Sequence, residues 1–180
     1  MGTVILKKEF YFIRHGQIDY NIHQPKVDVP SDTPLNATGR SQAIHVEPII
    51  ASLPIKTVCS SPFKRAQETK ELITAGLLAN HSEISDLGEC TGAIWREMTA
   101  LGASAHLRAE DPVLKFMQQV LRGVNQALAK EGPVLIVAHG GVHWAICCFL
   151  EAECEWAIDN CVPVHFSIGD HGKWVVKKLV

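Results

Sequence analysis

Phe10-Tyr11-Phe12-Ile13-Arg14-His15-Gly16 is an unbroken apolar run that stops at a cation, an imidazole and a glycine. Four consecutive large apolar residues do not alternate, which predicts a strand covered on both faces, as in the middle of a parallel sheet. Arg14 and His15 then sit at its carboxyl end, where open α/β sheets place their ligand crevices. Far along the chain, Val134-Leu135-Ile136-Val137-Ala138 is a second such run, and it ends in His139-Gly140-Gly141. If the two strands are parallel neighbours they lie about 5 Å apart, and their imidazoles converge on one small ligand. Gly16, Gly140 and Gly141 carry no Cβ, so backbone N–H groups there are free to approach an anion closely.

At 180 residues, with 47% hydrophobic and 20% charged side chains, the chain has the size and composition of one ordinary globular domain, taken as residues 1–180. A net charge of −2 and a pI near 6.5 provide no global basic field to recruit nucleic acid or an acidic membrane. No apolar stretch approaches the ~20 residues that cross a bilayer. The amino terminus lacks the apolar core and cleavage site of a signal peptide, so the expected compartment is cytoplasmic. Six cysteines (Cys59, Cys90, Cys147, Cys148, Cys154 and Cys161) form no C-x-x-C pair and lie mostly in apolar surroundings; they are read as reduced, structural residues.

After His15 comes a long stretch of turn chemistry, with prolines at 25, 30 and 34, of the kind that wraps a functional site. A helix is expected from an N-cap at Thr38, with Pro48 kinking or ending its first half. Ile55–Cys59 predicts a second strand. Beyond it, Ser61 suits the N-cap and Pro62 the first position of another helix. A third strand is read over Ser82–Leu87 and a helix from Pro112 to Leu128. Val142–Leu150 reads as a buried helix, and Val162–Ile168 with Trp174–Leu179 as a closing hairpin. Strands alternating with helices predict a three-layer α/β/α sandwich, mostly parallel, with an antiparallel edge.

One local preference is broken. A helix amino terminus favours acidic residues, yet Lys64 and Arg65 occupy the first turn after Pro62. Helical side chains lean toward the amino terminus, so Arg65 is expected to hang over the strand ends beside His15. Two guanidiniums, Arg14 and Arg65, with forked donors suit a tetrahedral dianion such as phosphate. A neutral imidazole is an accepted nucleophile, and cations around the equatorial oxygens stabilise the loose transition state of phosphoryl transfer. Such chemistry requires no metal.

Arg14-His15-Gly16, Ser60-Ser61-Pro62-Phe63-Lys64-Arg65-Ala66 and Ala138-His139-Gly140-Gly141, in this order and spacing, together resemble the histidine phosphatase superfamily, in its phosphoglycerate-mutase-like branch. Pro34 to Ala43 and Asn160 are in the same style. The resemblance implies that His15 is the nucleophile that becomes phosphohistidine. It implies that Arg14, Arg65 and His139 complete a phosphate pocket lined by Asn21. It also implies that Glu89 is the general acid, which protonates the leaving oxygen and then activates water. Three features depart from the pattern. Gln17-Ile18 stands where Glu-Thr is usual, the glycine after Glu89 comes one residue early at Gly92, and His143-Trp144 replaces an apolar residue and an arginine. Asp86 and Glu97 are the alternative proton donors.

The expected activity is hydrolysis of a small phosphorylated metabolite, a phosphomonoesterase without cofactor or metal. Phosphoglycerate-mutase-type transfer is the alternative, but Cys90–Asp111 is short for a lid that encloses the site. Two further classes compete. His139 and His143, four apart, have a zinc-gripping spacing, although glycine stands at 140 where H-E-x-x-H needs glutamate. A non-catalytic phospholigand-binding module would share the pocket.

Overall fold

The computed structural model describes residues 4–20, 28–152 and 155–179. Six strands form one sheet: β1 (Phe10–Arg14), β2 (Thr57–Ser60), β3 (Asn80–Glu83), β4 (Val134–Ala138), β5 (Pro163–Ile168) and β6 (Trp174–Lys178). Their order is β3-β2-β4-β1-β5-β6. The first four are parallel, whereas β5 and β6 run antiparallel and form the edge. This is the α/β arrangement anticipated from the two apolar runs.

Those runs are apolar throughout because the sheet is covered on both faces. Successive residues of β1 alternate between two hydrophobic clusters: Phe10 and Phe12 pack in one, Tyr11 and Ile13 in the other. β4 divides likewise, with Val134, Ile136 and Ala138 on the first face and Leu135 and Val137 on the second. The second face is covered by α1 (Ala37–Ala51) and α2 (Lys64–Ile73), through residues such as Ile50 and Ile73. The first is covered by α3 (Gly92–Leu101), α5 (Val113–Leu128) and α6 (Gly140–Leu150), with the short α4 (Ala105–Arg108) beside them. In α5 the buried positions Val113, Phe116, Val120, Val124 and Ala127 recur at helical spacing and make one stripe. The hairpin is fastened to β1 by Phe10 and Phe166, direct cross-strand partners whose rings stack at 4.6 Å and 3°.

Several local expectations are corrected. Asn36, not Thr38, caps α1, its side chain accepting from the Gly39 N–H at 2.8 Å. The helix also continues through Pro48. Proline removes the bond to the carbonyl of residue 44, and both Ile44 and Pro48 face solvent, where water satisfies that oxygen. The third strand lies at Asn80–Glu83, earlier than expected. As a mostly exposed edge it needs no apolar side chains, while the apolar Ile84 and Leu87 flank and end a single 3₁₀ turn tucked beneath α5. α2 starts at Lys64 with Phe63 at its N-cap; the Ser61 hydroxyl accepts from the Phe63 N–H at 3.3 Å and pairs with His139, and so caps no helical N–H. Cys59, Cys90, Cys148 and Cys161 are free thiols, but Cys147 is disulfide-bonded, so the reading of every cysteine as reduced fails there.

His143 is a buried core residue. On α6 its ring lies 5.4 Å from that of Phe12 and 5.9 Å from that of Phe166. Burial pushes its pKa down from 6.5 to about 4, a little offset by a backbone hydrogen bond with Trp156. The unfolded chain therefore binds this proton first as pH falls. The stabilisation is complete above about pH 6.5, and declines by on the order of 3 kcal/mol as pH drops toward 4. Urea unfolding between pH 7 and 4 is expected to show a shallower loss of stability in His143→Phe than in the parent chain; parallel profiles would assign the acid sensitivity to other groups.

Candidate active site

β1 and β4 are paired so that Arg14 lies opposite Ala138, and the next residue on each strand is a histidine. The His15 N–H extends the ladder by bonding to the Ala138 carbonyl at 3.0 Å, and the two rings meet edge to face at 5.2 Å. Ser61 follows β2 on the other side of β4, its N–H bonded to the Val137 carbonyl at 3.0 Å. Three adjacent parallel strands thus deliver Ser61, His139 and His15 to one line at their carboxyl ends.

Each imidazole is oriented. His15 Nδ1 lies 2.7 Å from the Gly16 carbonyl. A carbonyl only accepts, so Nδ1 carries the proton and Nε2 keeps a free lone pair. The His15 carbonyl accepts from the Asn160 side chain at 2.6 Å, and the Gly16 N–H donates to Thr69 Oγ1 at 3.0 Å. Gly16 is required sterically, because a Cβ there would sit 2.5 Å from the Gly39 carbonyl oxygen. His139 Nε2 pairs with Ser61 Oγ at 2.7 Å, and its buried Nδ1 has no hydrogen-bond partner.

Arg14 and Arg65 flank the histidines. Arg14 Nη1 donates to the Ile158 carbonyl at 2.9 Å, and Arg65 Nη1 to the Pro30 carbonyl at 3.1 Å. The Arg65 guanidinium lies over the Phe63 ring, 4.9 Å from its centroid. Both Nε atoms are buried without a hydrogen-bond partner. Two desolvated guanidiniums with unspent donors make a site that an anion completes, since buried donors are ordinarily paired. Burial lowers the pKa of both, Arg65 to about 10, so the cost of burying their charge is already present before any ligand arrives. Burial is also the largest effect on His15 and His139, with the two guanidiniums adding to it; both rings are held well below 6.5 and stay neutral.

Glu89 faces this group from the turn between the Ser85–Leu87 3₁₀ helix and α3. Its carboxylate accepts from the Cys90 N–H at 3.0 Å and, at the start of α6, from the Gly141 N–H at 3.2 Å. A Cβ at residue 141 would collide with Glu89 Oε1 and lie 2.9 Å from Cys90 Sγ, which explains glycine there. Desolvation raises the Glu89 pKa; the two backbone donors and the guanidiniums oppose it without cancelling it. A cavity of about 450 Å³ opens over the strand ends, and Arg14, His15, Arg65, Glu89 and Gly140 all line it.

The residues singled out in the sequence therefore converge, with exceptions. Asn21 lies outside the described residues. Asp86 is drawn away by Arg122, 3.0 Å distant, and Glu97 is exposed on α3. Neither lines the cavity, so Glu89 is the carboxylate the fold brings to the histidines. Lys64 is exposed. His139 and His143 do not share a site: one faces His15, the other packs between Phe12 and Phe166. No group of three or more metal-ligating side chains occurs among the described residues. Sequence reasoning missed the pairing of Ser61 with His139, since a serine before proline signals a helix cap more strongly. It also missed Asp28, Phe63, Trp95 and Trp156 in the cavity wall, where single side chains carry no motif.

The chain is similar to several known proteins. A relative in Bacillus subtilis (strain 168), named uncharacterized phosphatase PhoE, is 31% identical over 142 residues, covering 74% of this chain and 72% of that protein. A 2,3-bisphosphoglycerate-dependent phosphoglycerate mutase of Thermoplasma acidophilum is 30% identical over 151 residues, covering 77% of this chain and 74% of the other. Among solved structures, Bacillus stearothermophilus YhfR superposes with a TM-score of 0.71 at 20% identity, over 94% of this chain and 95% of that one. A mycobacterial glucosyl-3-phosphoglycerate phosphatase in complex with VO3 gives 0.67 at 22%, over 95% and 98%. These last two share the fold. With the family model for branch 1 matching residues 10–179, the chain belongs to the histidine phosphatase superfamily.

Proposed function

We propose that this chain, acting as one catalytic domain, is a metal-independent phosphomonoesterase that works through a phosphohistidine at His15. The observation that carries the reading is the orientation of His15: its Nδ1 proton is held by the Gly16 carbonyl, leaving the Nε2 lone pair free, in a cavity also lined by two guanidiniums with unpartnered donors. Arg14, Arg65, His139 and the Gly140 backbone hold the phosphoryl oxygens, where charge-assisted hydrogen bonds contribute roughly 1.5–3 kcal/mol each. Nε2 attacks phosphorus, the N–P bond forms and the ester P–O bond breaks. Glu89, whose carboxyl pKa desolvation raises, gives its proton to the leaving oxygen. The resulting carboxylate takes a proton from water as that water attacks phosphorus, and phosphate and neutral His15 are released.

Hydrolysis is favoured over mutase transfer because only the beginning of Cys90–Asp111, through Trp95, reaches the cavity. The rest packs as α3 and α4 and forms no enclosing lid, so water has access to the phosphoenzyme.

Rapid quench with a ³²P-labelled aryl phosphate is expected to trap an acid-labile, base-stable phosphoenzyme in the parent chain. His15→Ala should lose both label and turnover, and excess chelator should leave the parent rate unchanged. Turnover that survives His15→Ala, or disappears with chelator, overturns the mechanism.

Glu89→Gln separates proton donation from binding. Alkyl phosphates, whose alkoxide needs a proton, are expected to slow by about 10²–10⁴-fold in the first chemical step, and nitrophenyl phosphate by far less. Equal losses on both, measured by single-turnover kinetics, would assign Glu89 a binding role.

A further inference from the structure

The phosphate end of the cavity accounts for a small part of its wall. Beyond Arg14, His15 and Arg65, the apolar side chains of the lining include Ile18, Val29, Phe63, Trp95, Trp156 and Ile158, interspersed with Asp28, Glu89, Thr91 and small residues. Three of the seventeen lining residues are aromatic, in a chain where aromatic residues are 7%. They come from separate places: Phe63 precedes α2, Trp95 lies on α3, and Trp156 lies in the segment before β5. Two of the rings are held by neighbours. Phe63 packs against the His139 ring at 5.2 Å as well as beneath Arg65, and Trp156 lies 5.1 Å from Trp144 at 48°. Fixed rings are a preformed apolar surface, which a ligand occupies without the cost of ordering side chains.

Charge in the same wall is divided. Among the described residues the lining cations are Arg14 and Arg65, both committed to the phosphoryl group. The remaining charged groups are the acids Glu89 and Asp28. Asp28 is fixed at the mouth because its Oδ1 accepts from the Gly92 N–H at the start of α3. A substrate with a second anionic group would bring that group against a carboxylate and aromatic rings, with no described cation to receive it. The volume, about 450 Å³, accommodates a phosphoryl group together with a ring.

Building on the phosphatase reading, we infer that the preferred substrates are phosphomonoesters of uncharged aromatic or ring-bearing apolar alcohols, selected by the Phe63–Trp95–Trp156 wall and screened against second anions by Asp28. Selectivity is in the alcohol, while the phosphate is held as in any member that shares the pocket.

The test uses primary alkyl phosphates with similar leaving-group demands: 2-phenylethyl phosphate, ethyl phosphate, 2-phosphoglycolate and O-phosphoethanolamine. Phosphate release is expected to give a kcat/KM for 2-phenylethyl phosphate about tenfold or more above each of the others. In Trp95→Ala and, separately, Trp156→Ala, the phenylethyl-to-ethyl ratio should collapse several-fold, with circular dichroism verifying that each variant is folded. A parent preference for phosphoglycolate or phosphoethanolamine, or a ratio unmoved in both folded variants, overturns the inference. Calorimetric binding of 3-phenylpropylphosphonate against propylphosphonate and 3-phosphonopropionate reads the same order without turnover. Absent hydrolysis of every ester with the aromatic phosphonate still bound tightest would refute the phosphatase reading and uphold the aromatic site, whereas tightest binding of 3-phosphonopropionate would refute the site itself.

Discussion

The arrangement at the carboxyl ends of the parallel strands depends on the register of β1 against β4. Because Arg14 stands opposite Ala138, the two histidines leave the sheet at the same level, and the His15 N–H closes one more rung of the ladder. Side chains alternate with period two, so a slip of one residue would turn Phe10 and Phe12 to the face of Tyr11 and Ile13 and move His15 away from His139. The two hydrophobic clusters oppose that slip from both sides of the sheet. Core packing and catalytic geometry are in this sense one constraint, expressed first in apolar side chains and then, a residue later, in imidazoles.

The electrostatics follow from where those strands end. Ligand-free, the site holds two arginines and two neutral histidines in low-dielectric surroundings, compensated by one buried carboxylate. Glu89 favours the charged form of both buried guanidiniums, and they in turn favour its own carboxylate. Its raised pKa reflects a balance in which burial outweighs two backbone donors and two cations. Gly141 belongs to that balance, since only a residue without Cβ lets the first turn of α6 approach the carboxylate so closely. The arrangement is organised before substrate arrives, so little reorientation is required when charge moves during phosphoryl transfer.

How far the sequence discloses this depends on the type of signal. β1 and β4 were legible because a strand buried on both faces must be continuously apolar, and their terminal residues then stood out by contrast. Arg65 was legible for the opposite reason: it violates the preference of a helix start for acids, and such violations collect at sites. β3 was misplaced because an edge strand reading Asn-His-Ser-Glu carries no hydrophobic pattern. Ser61 was taken for a cap because local turn chemistry is visible in sequence, whereas its bond to His139 spans 78 positions and is not. The aromatic wall had no signal, since Phe63, Trp95 and Trp156 are brought together only by the loops.

The strand order has a further consequence for how this molecule comes into being. β1 precedes the other five described strands in the chain, yet its neighbours in the sheet are β4 and β5, and the His15 carbonyl is held by Asn160, 145 residues downstream. During synthesis His15 therefore emerges well before either flanking strand is available. Contacts of such separation close late, after the entropy of the intervening loop has been overcome. His15 and His139 thus come together only after β4 has been made.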